Sequence, residues 1–319
     1  MTPTRILPLL ALALLPLAAA ARNYKIGKWG IASADYSGIT SLGGDKYAVV
    51  SDKASGAGFF VWTITLDTDN GTLASVNDEG WHGTEFATAR DAEGIAYCPS
   101  RSSVFVSGEG DQRILEHGMD GSLTGDELRV PADMGKEAIQ PNRGFEALCY
   151  DSIRHRFWAT TESNLKADPA GTLRLASFGD DMSQLSTVTY TMDSPTLPST
   201  GREHIHGVTA LCALEDGSLL VLEREARITR RYSGSRCVCS LFRFSPSEGK
   251  KELLHRWRSK FTPFNTRFAN YEGMCLGPKL KDGRQTLLLI SDAQGGYGKT
   301  LWHLRDRLEV FVMESESSR

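Results

Sequence analysis

Three short phrases each place a glutamate at the start of an apolar run. They read DAEGIAY around Glu93, RGFEALCY around Glu146 and NYEGMCL around Glu272. Carboxylates at equivalent points of a repeat can converge, where burial and mutual repulsion disfavour their charged forms. A bound cation relieves both penalties, and oxygen ligands without cysteine favour Ca²⁺ over zinc or copper. The pattern predicts one Ca²⁺ held by these glutamates, which would also be the catalytic carboxylates of a metal-assisted hydrolysis.

A plainer interpretation of the same glutamates stays open. An acid before a glycine at a strand start can accept hydrogen bonds from a turn, or form a salt bridge with a nearby arginine. For one glutamate this is the simpler explanation. Three glutamates at equivalent positions favour the metal.

The rest of the sequence shows what would position these side chains. Comparing the chain with itself reveals two more copies of the phrase, which begin YSGITSL and IHGVTAL. A small residue anchors each copy, and successive anchors are 56, 53, 60 and 66 residues apart: Gly38, Gly94, Ala147, Gly207 and Gly273. Each copy divides into four short β-like runs, and no long helical period is present. Such repeats are typical of a β-propeller. The sequence therefore predicts an all-β, five-bladed β-propeller, with six blades as the alternative.

The last copy leaves the closure of the ring open. Its first three runs read GMCL, TLLLISD and TLWHLRD, and its fourth is either LEVFVM or the amino-terminal YKIGKWGIA. Pairing of the amino-terminal strand into the last blade would close the ring and cover an exposed sheet edge.

In a propeller the first strand of each blade lines the central channel. The three glutamates would then meet at one mouth, joined by Ser37 and His206 from the other two copies, with Ser37 as a further metal ligand. The second run returns to the same mouth and ends in an acid in every copy: Asp52, Glu109, Glu162, Glu223 and Asp292. This outer set either holds metal or substrate, or satisfies backbone N–H groups in turns.

Cationic side chains are predicted for the same face. The arginine fork suits phosphate or carboxylate, and acids that hold a cation beside arginines indicate a Ca²⁺-assisted phosphate site. Surface ion pairs are the alternative. The predicted substrate-binding residues are Arg113, Arg143, Arg267, His204 and His206.

The ends and the composition of the chain limit its class. Residues 1–21 have a basic start, a short apolar stretch and a run of alanines, which predicts a cleaved signal peptide before a single propeller domain at 22–319. We therefore expect a secreted or periplasmic monomer without a membrane span. The formal net charge of −3 argues against a nucleic-acid partner. The six cysteines fall mostly in apolar strands, so we expect buried, mostly unpaired thiols.

With these residues set out, the chain resembles the phytase-like family of exported propellers, named for an esterase-like activity of phytase. The phrases that carry the resemblance are YSGITSL with YAVVSD, DAEGIAY, NRGFEALCYD, and NYEGMCLGP with LLLISDAQ. Together they span nearly the whole chain after residue 21. The resemblance implies the propeller fold and a metal-assisted hydrolysis.

The chain is also similar, more distantly, to the calcium-activated nucleotidases. That resemblance implies a five-bladed propeller with one Ca²⁺ in its channel, held by serine and glutamate side chains at the starts of first strands. Ser37, Glu93, Glu146 and Glu272 match those positions. The fourth copy departs from the pattern with Ile205 or His206 in place of serine, and Glu146 is followed by alanine in place of glycine.

Two functions follow from these patterns. One is an exported Ca²⁺-dependent phosphohydrolase acting on a small phosphoester or phosphoanhydride. The other is a non-enzymatic propeller that binds a ligand or partner and holds calcium only as a structural ion. Propellers serve many functions, so the fold alone does not choose between them.

Overall fold

Five four-stranded antiparallel sheets follow one another along the chain in the computed structural model, which describes residues 22–85, 90–262, 268–294 and 304–313. The predicted signal peptide lies outside these residues. Blade 1 consists of β2 (Tyr36–Gly43), β3 (Lys46–Ser51), β4 (Gly56–Asp67) and β5 (Thr72–Glu85). Blade 2 consists of β6 (Ala92–Cys98), β7 (Ser103–Gly108), β8 (Arg113–Gly118) and β9 (Leu123–Glu127). Blade 3 consists of β10 (Phe145–Asp151), β11 (Arg156–Thr161), β12 (Thr172–Gly179) and β13 (Gln184–Thr191).

All four strands of blade 4 have 10 or 11 residues, and blade 5 combines the first described strand of the chain with the last three. Blade 4 consists of β14 (Glu203–Ala213), β15 (Leu219–Ile228), β16 (Arg236–Ser245) and β17 (Lys250–Lys260). Blade 5 consists of β18 (Asn270–Lys279), β19 (Gln285–Asp292), β20 (Arg307–Val312) and β1 (Arg22–Lys25). Two short 3₁₀ turns lie at Ile26–Trp29 and Ala132–Met134. The described residues contain no helix that is long and apolar enough to cross a membrane.

The innermost strands form a closed ring. Each first strand contacts the first strand of the next blade, and β18 of blade 5 contacts β2 of blade 1. The prediction of a five-bladed propeller is confirmed, and the six-bladed alternative is wrong. Apolar clusters fill the spaces between neighbouring blades, and they draw on strands of both blades.

Blade 5 corrects one predicted strand. The third strand is Arg307–Val312, which pairs with β19, and residues 304–306 are not in a strand. The rest of the predicted run TLWHLRD lies outside the described residues. Asp306 has another use, because its carboxylate accepts hydrogen bonds from the backbone N–H of Ala34 (3.1 Å) and Ala293 (3.0 Å). The fourth strand is amino-terminal, as one of the two alternatives predicted.

Closure by the amino-terminal segment predicts a stability effect. β1 pairs with β20, and Ile26 and Ile31 bury their side chains against blades 1 and 5. Burying two isoleucines stabilises by about 3–6 kcal/mol, at ~1.5–3 kcal/mol each. A chain that begins at residue 33 should therefore melt about 10 °C below one that begins at residue 22, by calorimetry. Lys136→Ala in the longer chain, at an exposed position outside this segment, should leave the melting temperature unchanged. Equal melting temperatures for the two lengths would show that β1 does not close the ring.

All six cysteines are free and buried, which confirms the prediction of unpaired thiols. Cys237 and Cys239 lie on the same face of β16 with their sulfurs 3.7 Å apart and do not form a bridge. Burial raises the pKa of Cys212 to about 12, so this thiol is inert at neutral pH.

Candidate functional site at the channel mouth

A β-bulge interrupts the pairing of the first two strands at the same point of every blade. A bulge inserts one extra residue and re-aims its side chain. In blade 1 the pairing skips from Tyr36 to Gly38, so the extra residue is Ser37. The equivalent residues, which we call the inner ring, are Ser37, Glu93, Glu146, Thr209 and Glu272.

The fourth blade corrects the predicted membership of this ring. The bulge lies between Val208 and Ala210, so Thr209 takes the place predicted for His206. The true anchor is Ala210 in place of Gly207, and successive anchors in the last three blades are then 63 residues apart. The prediction failed because β14 begins at Glu203 and extends past the ring, which displaced the apparent start of the repeat.

The two hydroxyl members of the inner ring link neighbouring blades. Ser37 Oγ donates to the backbone oxygen of Ala92 at 2.5 Å, and Thr209 Oγ1 donates to that of Tyr271 at 3.0 Å. Each hydroxyl oxygen keeps lone pairs that can accept or ligate. Blades 1 and 4 therefore carry neutral members between blades that carry carboxylates.

The glycines after the ring glutamates have a steric reason. A Cβ on Gly94 would lie 2.8 Å from the backbone oxygen of Glu146, and one on Gly273 would lie 2.9 Å from the Cα of Gly38. Neighbouring first strands thus approach too closely for a side chain at these points. The glutamate–glycine phrase combines a bulge that presents a carboxylate with a close contact between blades.

A second set of residues, at the mouth ends of the second strands, forms an outer ring. The strand pairing changes the predicted membership of this ring as well. The backbone N–H groups of Asp52, Glu109 and Glu162 donate to the backbone oxygens of Asp35, Asp91 and Gly144, which directly precede the first strands, at 3.2, 2.8 and 2.8 Å. Asp292 pairs with Asn270 at the equivalent place, and in blade 4 the pair is Gly207 with Arg224. The outer ring is therefore Asp52, Glu109, Glu162, Arg224 and Asp292.

Glu223 was the fourth-blade acid predicted for this ring, and that prediction is wrong. Its carboxylate points away from the mouth, where it accepts from the Tyr190 hydroxyl at 2.7 Å and from Lys251 Nζ at 2.6 Å. The neighbouring Arg224 takes the ring position. This arginine was missed in the sequence analysis because the longer strands of blade 4 shifted the alignment of its second strand with those of the other blades by one residue. The only sign of Arg224 in the sequence is its position next to Glu223 in the run LERE.

Arg224 is the central cation of the mouth. It is only 4% exposed, its Nη2 donates to Glu162 Oε1 at 2.7 Å, and its Nη1 donates to Asn270 Oδ1 at 2.7 Å. Nη1 also contacts Glu272 Oε1. Burial lowers the pKa of Arg224, but Glu272 and Glu162 raise it by more, so the guanidinium stays charged.

Glu93 and Glu146 lack such compensation. Both are 8% exposed, and within the described part of the chain neither carboxylate receives a hydrogen bond or an ion pair. Burial raises the pKa of Glu93 well above its usual value, and Glu146 and Glu272 raise it further. Burial and the nearby Glu162 do the same for Glu146, although Arg224 opposes the change. These two groups therefore have the strongest requirement for a positive partner.

Two groups of carboxylates share Glu93. Oxygens of Glu93, Glu109 and Glu146 lie within 4.8 Å of one another, and so do those of Asp52, Asp91 and Glu93. Ligands at ~2.3–2.6 Å from a Ca²⁺ ion can be up to about 5 Å apart, so each group fits one such ion. The donor set consists of oxygen alone, which suits a hard cation. The residues present fit Ca²⁺.

Glu272 lies beside these groups. Its Oε1 accepts from Asn270 Nδ2 at 2.6 Å and from Arg224. Burial raises the pKa of Glu272 to about 8 even though Arg224 lowers it. Its assignment as a metal ligand stays a prediction, as do those of Ser37, Glu93 and Glu146.

The predicted substrate-binding residues do not all lie at the channel mouth. Arg143 approaches the mouth, where its Nη1 contacts Glu162 of the outer ring. Arg113 forms an exposed ion pair with Glu127 at 2.6 Å, towards the outer strand of blade 2. Arg267 lies outside the described residues.

The two histidines lie on the opposite face of blade 4 from Arg224. His204 Nε2 lies 2.9 Å from Glu225 Oε1, and His206 lines a small polar cavity with Glu225 and Thr196. Burial lowers the pKa of His206. The structure therefore brings Arg143 to the rings and does not bring Arg113, His204 or His206 there.

Asp52 differs from the other outer-ring acids. Its Oδ2 contacts Lys53, and its Oδ1 is buried without a hydrogen-bond partner in the described residues. Burial raises the pKa of Asp52 to about 6, although Lys53 lowers it. A carboxyl group with this pKa and a free oxygen is suited to general base catalysis near neutral pH.

Comparison with solved structures gives remote likenesses. They include a streptogramin B lyase, at 14% identity over 91% of this chain and 98% of that chain, with a TM-score of 0.39. They also include the PQQ-bound aldose sugar dehydrogenase from Streptomyces coelicolor, at 12% identity over 92% of this chain and 99% of that chain, with a TM-score of 0.46. The periplasmic gluconolactonase of Pseudomonas aeruginosa matches at 15% identity over 86% of this chain and 72% of that chain, with a TM-score of 0.38. Likenesses this remote carry no argument about function.

The family comparison is more informative. No curated protein matches the chain. The family described as Phytase-like, with esterase-like activity of phytase, matches residues 32–293. That range runs from just before the first strand of blade 1 to the end of β19 and includes every member of both rings. The chain therefore belongs to the Phytase-like family.

Proposed function

We propose that this protein is an exported, Ca²⁺-dependent phosphohydrolase acting on a small phosphoester or phosphoanhydride. The observation that carries the proposal is the group Glu93, Glu109 and Glu146, whose oxygens converge within 4.8 Å. Two of its members are buried carboxylates without a donor among the described residues. Membership of the Phytase-like family supports the same class of reaction.

Glu93, Glu109 and Glu146 would hold the calcium ion in this proposal. When bound, Ca²⁺ supplies positive charge to phosphate oxygens and lowers the pKa of water. Arg143 is 29% exposed and uses Nη1 on Glu162, so its other N–H groups can donate to a phosphate oxygen. Asp52 accepts the proton of the attacking water at Oδ1.

Arg224 acts as a positioning residue. It neutralises Glu162 and Glu272, which holds these two carboxylates away from the metal group. Among the described residues Arg224 forms no ion pair with Glu93, Glu109 or Glu146, so the metal group on the side of blades 2 and 3 keeps its anionic character. The phosphate would therefore bind between that side and Arg143.

Export by a cleaved signal peptide at residues 1–21, a monomeric state and a small phosphorylated substrate remain parts of this proposal. The amino-terminal composition supports export, and the carboxylate group that fits Ca²⁺ supports a phosphorylated substrate. A non-enzymatic propeller with a structural calcium is the second candidate. One observation favours it, namely that the ring glutamates are only 8–9% exposed, which limits direct access to them.

The test is hydrolysis of a panel of phosphate esters and nucleotides, with and without a calcium chelator. We expect activity that the chelator abolishes, and Asp52→Asn should lower kcat about 10²-fold or more, as loss of a general base does. Glu127→Gln, which alters only an exposed ion pair, should retain full activity. Chelator-resistant hydrolysis would contradict the role given to Ca²⁺, and hydrolysis of none of the esters would leave the structural-calcium candidate.

A further inference from the structure

Blade 4 stands taller than its neighbours on the mouth side. Its first two strands continue past the inner ring by the pairs Glu203 with Ile228, His204 with Arg227, Ile205 with Ala226, and His206 with Glu225. β16 extends with them, since Arg236 pairs with Arg227. This extension forms a wall beside the mouth, with one face towards blade 3 and the other towards blade 5.

The blade 5 side of the wall is apolar. Ile205, Ala226 and Ile228 line a cavity there, and Phe261 and Phe268 complete its apolar surface. The cavity volume is about 60 Å³. Since one water needs ~10–15 Å³ of such space, the cavity takes about four to six non-hydrogen atoms.

The inner end of the cavity is polar and reaches the candidate site. Arg224 and Asn270 line it, and both hold Oε1 of Glu272 in the inner ring. Arg224 and Asn270 therefore lie between the cavity and the inner-ring carboxylate of Glu272. At its outer rim Arg202 lies over the ring of Tyr232, 5.4 Å from the ring centre.

We propose that this cavity binds a short apolar group of the substrate, such as an alkyl or acyl chain of about four carbons, while the anionic group lies at the channel mouth. The proposal rests on the proposed function for the position of the anionic group. It assigns the substrate to compact monoesters with an apolar alcohol portion.

A ring that carries many phosphates does not suit this cavity. Arg202 and Arg224 are its only basic lining residues within the described part of the chain, and Glu203 lines it as well. The terminal nitrogens of Arg224 are committed to Glu162, Glu272 and Asn270. The volume is also too small for a hexakisphosphate. The lining therefore selects for apolar surface and against further charge.

The test uses alkylphosphonates, which are not hydrolysed, from methyl to hexyl, with calorimetric titration in saturating calcium. Burial of one methylene strengthens binding by about fourfold. Wild-type affinity should therefore rise about 60-fold from methyl to butyl and then level off. At equal ionic strength, inositol hexakisphosphate should bind no more tightly than methylphosphonate.

Two variants address the cavity itself. Ala226→Leu fills it and should flatten the chain-length series while leaving the affinity for methylphosphonate unchanged. Ala132→Leu makes the same change at an exposed position of a 3₁₀ turn and should keep the full series. If Ala226→Leu lowers the melting temperature, Ile205→Ala gives the same comparison by removing part of the wall.

The outcomes separate this inference from the proposed function. Equal affinity for all chain lengths, or an unchanged series in Ala226→Leu and Ile205→Ala, overturns the cavity assignment and leaves the phosphohydrolase intact. Binding of long chains without any binding of methylphosphonate supports the cavity and counts against the phosphate site. Failure of every phosphonate to bind overturns both.

Discussion

Calcium should raise the melting temperature of the wild-type chain, and Glu93→Gln should remove most of that rise. Ligand that binds only the folded state at 100 times its Kd stabilises by about 2.7 kcal/mol. For a chain of this size that corresponds to roughly 5–10 °C. Glu93 is the decisive residue because it belongs to both carboxylate groups and has no donor among the described residues.

The same substitution should act in the opposite direction in chelator. Without a cation, Glu93 is a buried carboxyl group beside Glu146, and burial and repulsion disfavour its charge. Glu93→Gln should therefore melt at the same temperature as wild type, or higher, in chelator. Calorimetry with and without calcium measures both effects, and Glu127→Gln serves as a matched control that should follow wild type in each. A wild-type melting temperature that ignores calcium, with no heat of calcium binding, would reduce the ring glutamates to structural residues.

The pH dependence has a defined sign. The pKa of Glu272 is about 8 in the folded state, and those of Glu93 and Glu146 are also raised above the usual value for glutamic acid. Folding therefore favours the protonated forms, and this contribution is present below the unfolded pKa and is lost as pH rises through the folded pKa. The calcium-free chain should lose stability between about pH 5 and pH 8. Calcium needs the ionised carboxylates, so its stabilising effect should increase over the same interval.

Much of the site could be predicted from the sequence because the repeat fixes equivalent positions. The phrases around Glu93, Glu146 and Glu272 mark the bulge in three blades, and the fold confirms their equivalence. Their visible signal has a physical origin, since the bulge presents the carboxylate and the close approach of the next blade requires a small residue after it.

Other parts of the site could not be predicted from the sequence, and the reasons are again physical. Thr209 carries no charge and follows an extension of β14, so the apparent start of the fourth copy lies at Gly207. The residue that faces the mouth then changes from Glu223 to its neighbour, because side chains alternate along a strand. A shift of one residue in the strand register therefore places Arg224 in the outer ring, where Glu223 was predicted. Convergence of Glu109 with Glu93 and Glu146 depends on the distance between rings, which no spacing in the sequence gives.

Arg224→Met should cause the largest loss of stability of any single change at the mouth. Removing one partner of a buried ion pair leaves an uncompensated charge and costs about 3–5 kcal/mol, or roughly 10 °C in melting temperature for a chain of this size. Arg224 holds two carboxylates, and Glu272 loses its ion pair while Glu162 keeps Arg143. Methionine retains much of the side-chain volume, so the loss reports charge more than packing.

A second variant distinguishes charge from packing. Arg224→Met combined with Glu272→Gln removes the orphaned carboxylate and should recover at least half of the lost stability, because the two residues act as one unit. Calcium should also stabilise Arg224→Met more than it stabilises wild type, since removal of the arginine leaves Glu272 free to join Glu146 around a cation. Calorimetry of the single and double variants, each in calcium and in chelator, tests both statements. If the double variant melts at the same temperature as Arg224→Met, the arginine stabilises the mouth by packing. If calcium has the same effect on Arg224→Met as on wild type, Arg224 does not restrict the cation to the Glu93, Glu109 and Glu146 side of the mouth.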